Sequence, residues 1–135
     1  MKIQDILGRE SEAKEVVKDH KYGGSWSTHW FWLEFSVPES WKQQILINPK
    51  NRKIHLIWDS GCEATLYSST GKMLQAFTEN QRQEFDLDYT QLTSLAVNGK
   101  IKVLVEMACN ETFGNFEDGF MTKTVYDKEF KIKKC

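Results

Sequence analysis

Tryptophan is unusually frequent in this chain, and most of the tryptophans lie close together between residues 26 and 41. Five of the 135 residues are tryptophan, and the first four are Trp26, Trp30, Trp32 and Trp41. Flat aromatic faces stack on sugar rings in lectin-like sites, where Asp, Asn and Glu bind the hydroxyl groups. Aromatic side chains are equally typical of interfaces, because a bare pair of indoles promotes association. These residues therefore predict either a carbohydrate site or a contact surface.

Trp30 and Trp32 alternate with Phe31 and Leu33, so the two indoles are predicted to lie on the sheet face opposite the core. One interpretation leaves this face open to a sugar. The other covers it with an N-terminal helix or another subunit. The candidates for carbohydrate or interface contacts are Trp26, Trp30, Trp32, Trp41, Asp59, Glu63, Glu106, Asn110 and Phe113.

Histidine and cysteine are too few and too scattered to suggest a metal or redox site. The chain contains His20, His29, His55, Cys62, Cys109 and Cys135. No Cys-x-x-Cys pair occurs, so we predict reduced thiols, with Cys62 and Cys109 buried as small apolar side chains. His29 has the core-facing phase of its strand, where a neutral, hydrogen-bonded imidazole is expected. We predict no metal site and no cofactor in this chain.

Size and charge favour one globular domain without a nucleic-acid or membrane partner. A chain of 135 residues can bury a self-sufficient core. Its 18 Lys and Arg residues balance 19 Asp and Glu residues, which leaves no basic excess for phosphate backbones or anionic lipid. Residues 1–7 are too short and too quickly interrupted by charge for a signal peptide, and no apolar run approaches the ~20 residues of a membrane span. The prediction is a cytoplasmic protein.

The apolar periodicity divides the chain into an N-terminal helical segment, residues 1–21, and a β-sandwich domain, residues 22–135. Helix formers from 9 to 19 predict a short amphipathic helix with Ala13, Val16 and Val17 on one face. Beyond Ser25 the period becomes two, so the fold class is all-β with seven or eight strands. The predicted strands are 29–37, 54–58, 64–68, 73–77, 84–88, 101–107 and an extended segment near 125–132.

The turn signals predict how these strands connect. Residues 39–51 are expected to form a turn or loop after Pro38. Turns at 59–61 and 69–72 would join strands 54–58, 64–68 and 73–77 into a three-stranded meander, with Gly71 at positive φ. Asn98-Gly99 predicts a hairpin into a central strand. The lysine-rich run 128–134 predicts a solvated edge strand.

Four motifs in a fixed order add a family resemblance. They are SWSTHWF at 25–31, VPESW at 37–41, LIWDSGCEA at 56–64 and EMACN at 106–110, followed by Phe113-Gly114. Over about residues 22–120 the chain resembles the N-terminal domain of the cytosolic and vacuolar α-mannosidases of glycoside hydrolase family 38. The resemblance implies a jelly-roll β-sandwich of the galactose-binding-like kind and an accessory role.

The resemblance also implies that catalysis belongs elsewhere. In that family a separate, longer α/β domain holds a divalent metal with His and Asp ligands, including a His-x-Asp pair, and none of the three histidines here precedes such an Asp. A retaining glycosidase needs two carboxylates about 5 Å apart. Asp59, Glu63 and Glu106 could supply such a pair, but we interpret Asp59 as a turn cap and the glutamates as structural or interdomain residues. This chain alone is predicted not to be an enzyme, and a longer parent would be a metal-dependent α-mannosidase.

Three functions follow as hypotheses. The first is a non-catalytic accessory domain that packs against an α-mannosidase catalytic domain or another subunit and supports its assembly. The second is an independent domain that binds mannose-containing glycans through exposed aromatic side chains. The third is a structural protein that uses the former interdomain surface within a larger assembly.

Overall fold

The computed structural model describes residues 2–16, 27–60, 62–78, 82–108 and 131–134. The strands are β1 Lys14–Glu15, β2 Thr28–Phe35, β3 Ile54–Ile57, β4 Glu63–Ser68, β5 Met73–Phe77, β6 Glu84–Leu87, β7 Ala96–Val97, β8 Lys100–Ala108 and β9 Lys131–Lys134. The helices are α1 Ile3–Leu7, α2 Glu39–Ile47 and α3 Tyr89–Ser94, and a 3-10 turn covers Glu10–Glu12.

The strands form two antiparallel sheets. The larger sheet has the order β1-β9-β2-β8-β4-β5, and β7 pairs with β8 as well. The smaller sheet pairs β3 with β6. The all-β class and the central position of β8 are therefore confirmed.

The main core lies between the two sheets. Phe31 and Leu33 of β2 and Val105 of β8 share one buried cluster with Leu56 of β3 and Phe85 of β6. Alternation places these side chains on the inner faces, because successive residues of a strand point to opposite sides. The cluster fixes the smaller sheet against the larger one.

A second apolar cluster lies on the outer face of the larger sheet. It consists of Ile6, Trp30, Trp32 and Leu104, and we call it the outer cluster. Helix α1 contributes Ile6, and the Tyr67 ring lies 5.8 Å from the Trp30 ring. The sheet is thus buried on both faces along β2 and β8, which explains the apolar residues on both sides of these strands.

The helix predicted over 9–19 is wrong in its position. The N-terminal helix is α1, where the Asp5 carboxylate accepts the Lys2 backbone N–H at 3.0 Å. Lys14 and Glu15 instead pair with Lys134 and Lys133 of β9. A short isolated helix is marginal in water, so pairing with the sheet overrides the local helix propensity.

The loop predicted over 39–51 is largely a helix, α2. Pro38 precedes the first turn, Glu39 lies in that turn, and Ile45 is buried one turn after Trp41. The Gln43 side chain donates to the Glu39 carboxylate at 3.1 Å. These are ordinary helix-start signals, and they outweigh the polar composition of the segment.

The predicted three-stranded meander is also wrong. Strands β4 and β5 do form a hairpin, but β3 pairs with β6 in the other sheet. The β3–β4 connection therefore passes from one sheet to the other. Its described contacts are buried, with Trp58 Nε1 donating to Ser60 Oγ at 3.1 Å and Ser60 Oγ to the Cys62 carbonyl at 3.3 Å.

The lysine-rich strand is not at an edge. Strand β9 lies between β1 and β2, because the N-terminal segment returns to pair with it. Within the described residues the outermost strand on this side is the two-residue β1, and a very short edge strand limits edge-to-edge association. The predicted extended structure before residue 131 lies outside the described residues.

The two glycine turns are confirmed and give a prediction. Gly71 has φ +92° and Gly99 has φ +79°. We expect Gly99→Ala to lower the free energy of unfolding by about 1–2 kcal/mol, because an L-residue is strained there. At Gly71 the added Cβ would lie 2.9 Å from Leu7 Cδ1, the end of a flexible side chain that can move aside, so Gly71→Ala should cost about as much as Gly99→Ala, where nothing lies within 4 Å. Urea unfolding of both variants checks this, and an unchanged stability of either variant would contradict the strain at positive φ.

Candidate functional site

Trp30 and Trp32 are buried and are therefore not accessible to a ligand. Each is only 4% exposed, because α1 packs over them. Helix α1, and not the helix predicted over 9–19, covers these two indoles, so neither is open to a sugar ring in this structure. Their role as site residues stays a prediction. Trp26, Asn110 and Phe113 lie outside the described residues.

The predicted acidic residues are partly brought together. Glu63 of β4 and Glu106 of β8 lie diagonally on the outer face, since Glu63 is opposite Ala108 and Thr65 is opposite Glu106. Burial raises the pKa of the Glu106 carboxyl. Burial also raises the pKa of Tyr67, and the negative charge of Glu106 acts in the same direction. Asp59 is exposed in the β3–β4 connection, where the described hydrogen bonds are made by Ser60.

His29 has the environment predicted for it. Its Nε2 forms a hydrogen bond of 2.9 Å with Ser27 Oγ, and the side chain is partly buried. Burial lowers the pKa of this imidazole, and the positive charge of Lys134 lowers it further. The folded protein therefore favours neutral His29. Cys62 is a buried thiol, as predicted, while Cys109 and Cys135 lie outside the described residues.

The lowered pKa of His29 predicts a pH dependence of stability. Because the unfolded chain binds the proton more readily, the contribution of His29 is complete above its ordinary pKa of about 6.5 and is lost as pH falls through the folded value. Thermal unfolding of the wild type and His29→Gln between pH 8 and pH 5 should show the wild type's advantage shrinking towards low pH. An advantage that is constant, or that grows on acidification, would contradict this assignment.

Trp41 is the predicted candidate with a large exposed aromatic side chain. Its indole is 51% exposed on α2 and borders a groove of about 380 Å³. We call this the Trp41 groove. Its lining residues are Trp41, Gln44, Ile45, Arg52, Lys53, Ile54 and His55.

A polar cluster lies beside this groove on the outer face of the smaller sheet. His55 and Asp86 are opposite each other in β3 and β6, and His55 Nδ1 donates to the Asp86 carboxylate at 2.8 Å. Lys53 Nζ donates to the other Asp86 oxygen at 3.0 Å. The Lys53 hydrogen bond lowers the pKa of Asp86, and His55 adds to this effect. Exposed pairs of this kind contribute only about 0.2–1 kcal/mol each to stability.

A second groove of about 620 Å³ borders the same sheet face, and we call it the Arg82 groove. Its lining residues are Ile57, Gln75, Arg82, Gln83, Glu84, Phe85 and Asp86. Ile57 is 61% exposed and lies opposite Glu84. The two grooves meet at the His55–Asp86 pair, since each residue of the pair lines one groove.

Sequence reasoning found Trp41 but missed Arg52, His55 and Asp86. Alternation along β3 and β6 does predict that His55 and Asp86 point outwards. It does not show that these strands pair, because 31 positions separate the two residues. The pairing of β3 with β6 is what places His55 beside Asp86 on one surface.

This arrangement is suited to binding. An exposed indole beside arginine and apolar side chains has the composition of an interface centre. Among the described residues, no group of three or more His, Cys, Asp or Glu side chains could hold a metal ion. In the described part of the chain, no helix is both long and apolar enough to cross a membrane.

The fold defines a β-sandwich domain, and this surface carries two exposed grooves. The chain belongs to the family described as the alpha-mannosidase jelly roll domain, whose model matches residues 4–135. The matched unit is the jelly-roll domain of these enzymes and not their catalytic domain. The family resemblance stated from the four motifs is confirmed, whereas the galactose-binding-like subtype stays a prediction.

Individual relatives agree with the family assignment. Alpha-mannosidase G of Dictyostelium discoideum is 26% identical over 137 residues, and alpha-mannosidase 2C1 of Homo sapiens is 25% identical over 133 residues. These matches cover 99% and 98% of this chain but 12% of each relative. An alpha-mannosidase of Saccharomyces cerevisiae is 29% identical over 106 residues, which is 78% of this chain and 9% of that protein. The chain thus spans a small part of the relatives it matches.

Proposed function

We propose that this chain is a non-catalytic accessory domain of an α-mannosidase and that the Trp41 groove contacts another part of that enzyme. The observation that carries the proposal is the contrast between tryptophans. The chain covers Trp30 and Trp32 with its own helix, but it leaves Trp41 half exposed beside Arg52 and Ile54. The family and the much longer relatives support a polypeptide neighbour.

Covering Trp41 would stabilise such a contact substantially. A tryptophan side chain offers about 150–250 Å² of surface, so roughly 100 Å² remains exposed at this position. At about 25 cal/mol per Å², burial of that area contributes about 2.5 kcal/mol before the costs of association. Trp41 is therefore the expected centre of the contact.

The native size of the polypeptide tests the function. Gel filtration of an extract from its source, with mass spectrometry of the co-eluting proteins, should find residues 1–135 within a longer α-mannosidase chain or beside a separate catalytic chain. Elution alone at its own mass would contradict the proposal. Elution in a large assembly without mannosidase would favour the structural-protein hypothesis.

Hydroxyl-radical footprinting tests the surface in the same native enzyme. We expect oxidation of Trp41 to be at least tenfold slower than its intrinsic reactivity and exposure in the lone domain predict, because the neighbour excludes water. Met73 and Tyr89 serve as exposed controls on other elements, at 66% and 48% exposure, and should react at their unprotected rates. Rapid oxidation of Trp41 would move the contact away from this groove.

Glycan binding is a second candidate function, and among the described tryptophans Trp41 is the exposed candidate for it. An exposed indole with the Gln44 amide and the His55 imidazole on the same groove could stack on a pyranose and bond its hydroxyls. Mannose-containing oligosaccharides should then raise the thermal unfolding temperature of the wild type but not of Trp41→Ala. An unfolding temperature that no oligosaccharide changes would reject glycan binding.

The proposed accessory domain is cytoplasmic, which the resemblance to cytosolic α-mannosidases supports.

A further inference from the structure

We infer that the segment that occupies the Trp41 groove carries a carboxylate that pairs with Arg52, beside an apolar side chain that packs on Trp41. This inference rests on the proposed function and specifies the partner of the same surface. It commits to an acidic polypeptide segment as the occupant of the groove. The argument depends on the charges of the groove and on the cost of removing them from water.

Among the described residues that line the groove, no carboxylate balances the charge of Arg52. Three of the lining side chains are basic, Arg52, Lys53 and His55, and no carboxylate is among them. Lys53 and His55 both bond to Asp86 from the side of the smaller sheet. Within the ranges of the chain that the structure describes, the Arg52 guanidinium forms no ion pair. Arg52 therefore supplies the excess positive charge of the groove.

A neighbour that covers Trp41 must also take the Arg52 guanidinium out of water. Both side chains line one groove of about 380 Å³, so a segment that excludes water from the indole removes water from the guanidinium. A charged group loses stability on burial unless it is paired and hydrogen-bonded. A carboxylate meets this need best, because its two oxygens match the planar donor fork of arginine in a bidentate pair.

The position of Arg52 supports such a directed contact. Its backbone N–H donates to the Asn48 carbonyl at 3.1 Å, directly after α2. Asn48 directly follows the last residue of α2, so this hydrogen bond fixes the backbone of Arg52 relative to the helix that carries Trp41. The apolar walls are Ile45, which is buried in α2, and the partly buried Ile54. An apolar side chain of the partner fits between these walls and the indole.

Charge reversal at two arginines tests the inference in the intact α-mannosidase that contains this chain. We expect Arg52→Glu to accelerate the oxidation of Trp41 at least tenfold relative to the wild-type enzyme, because a second carboxylate repels the first. Arg82→Glu is the matched control, since Arg82 is an exposed arginine that lines the other groove. It should leave the oxidation of Trp41 unchanged. Arg52→Lys should give an intermediate rate, because it keeps the charge but not the planar fork.

A cross-link identifies the partner carboxylate directly. In Arg52→Lys, a zero-length carbodiimide should join the new amine at position 52 to an Asp or Glu outside residues 1–135, and mass spectrometry should locate the pair. The same treatment of Arg82→Lys should give no cross-link at position 82 to the same segment. An equal yield at both positions would overturn the choice of Arg52.

The outcomes separate this inference from the proposed function. If Trp41 is protected in the wild type and stays protected in Arg52→Glu, the groove is a docking site but its partner is not acidic, and the inference fails alone. If Trp41 is unprotected in the wild type, the proposed surface itself fails. If Trp41 is oxidised rapidly in the enzyme but is protected when a mannose-containing glycan is added, the groove is a sugar site. The proposed polypeptide contact and the acidic partner are then both overturned. Arg52→Gln provides the same readout should the reversed charge prevent folding.

Discussion

Trp32→Ala is expected to lower the free energy of unfolding by about 3–5 kcal/mol, the range for truncation of a buried large aromatic side chain. Trp32 is buried in the outer cluster with Ile6 and Leu104. The Lys102 ammonium lies 5.2 Å from the centre of its ring, and Lys102 also pairs with Glu10 of the N-terminal segment. Alanine would leave a cavity and would remove the face on which this cation lies. Urea unfolding followed by circular dichroism gives the loss.

Trp41→Ala is the matched control for this prediction. Its indole is half exposed, so the truncation should cost no more than about 2.5 kcal/mol in the lone domain, which is below the range expected for Trp32→Ala. Trp32→Phe is a second comparison: Trp32 Nε1 has no hydrogen-bond partner among the described residues, and phenylalanine removes that unsatisfied group. Trp32→Phe should therefore lower the free energy of unfolding clearly less than Trp32→Ala does. A stable Trp32→Ala variant that loses glycan binding would restore the open-face interpretation.

Ile6→Ala is expected to lower the free energy of unfolding by about 2–5 kcal/mol. Ile6 is the buried side chain of α1 in the outer cluster, at 1% exposure, and the partly buried Ile3 and Leu7 of the same helix pack against this cluster. A five-residue helix has little stability of its own, so the loss of this contact should release α1 and expose Trp30 and Trp32. Urea unfolding measures the loss, and the intrinsic tryptophan fluorescence of the native state should shift towards that of hydrated indole.

The control for Ile6→Ala is Gln4→Ala, an exposed position of the same helix. It should change the free energy of unfolding by no more than about 0.5 kcal/mol. If Ile6→Ala is as mild as Gln4→Ala, the cover over the outer cluster does not depend on α1. Trp30 and Trp32 would then regain their place among the accessible candidates.

Most strands and turns could be predicted from the sequence because local signals specify them. The alternation around Phe31 and Leu33 defines β2, and Asn98-Gly99 and Gly71 supply the positive φ angles of two hairpins. The order of four motifs identified the family, which the family model confirms over residues 4–135. Helix α2 could also have been predicted from Pro38, Glu39 and the spacing of Trp41 and Ile45, but its polar residues favoured a loop.

The pairing of distant segments was not predictable from local pattern. The return of Lys14–Glu15 to β9 and the pairing of β3 with β6 depend on contacts between residues far apart in the chain. Propensity and periodicity describe only neighbours within a few residues, so the predicted helix over 9–19 and the meander were wrong. The same limit concealed the His55–Asp86 pair.

The sequence by itself determined the fold class, the family and the two faces of each strand, because the side-chain period of a strand is fixed by its backbone. Only the tertiary structure decided which outward tryptophans are covered. Trp30 and Trp32 alternate outwards and are nevertheless buried, since α1 packs over the outer face, while Trp41 remains exposed on α2. Burial depends on what another segment does in space, and that is a property of the folded chain and not of a local pattern.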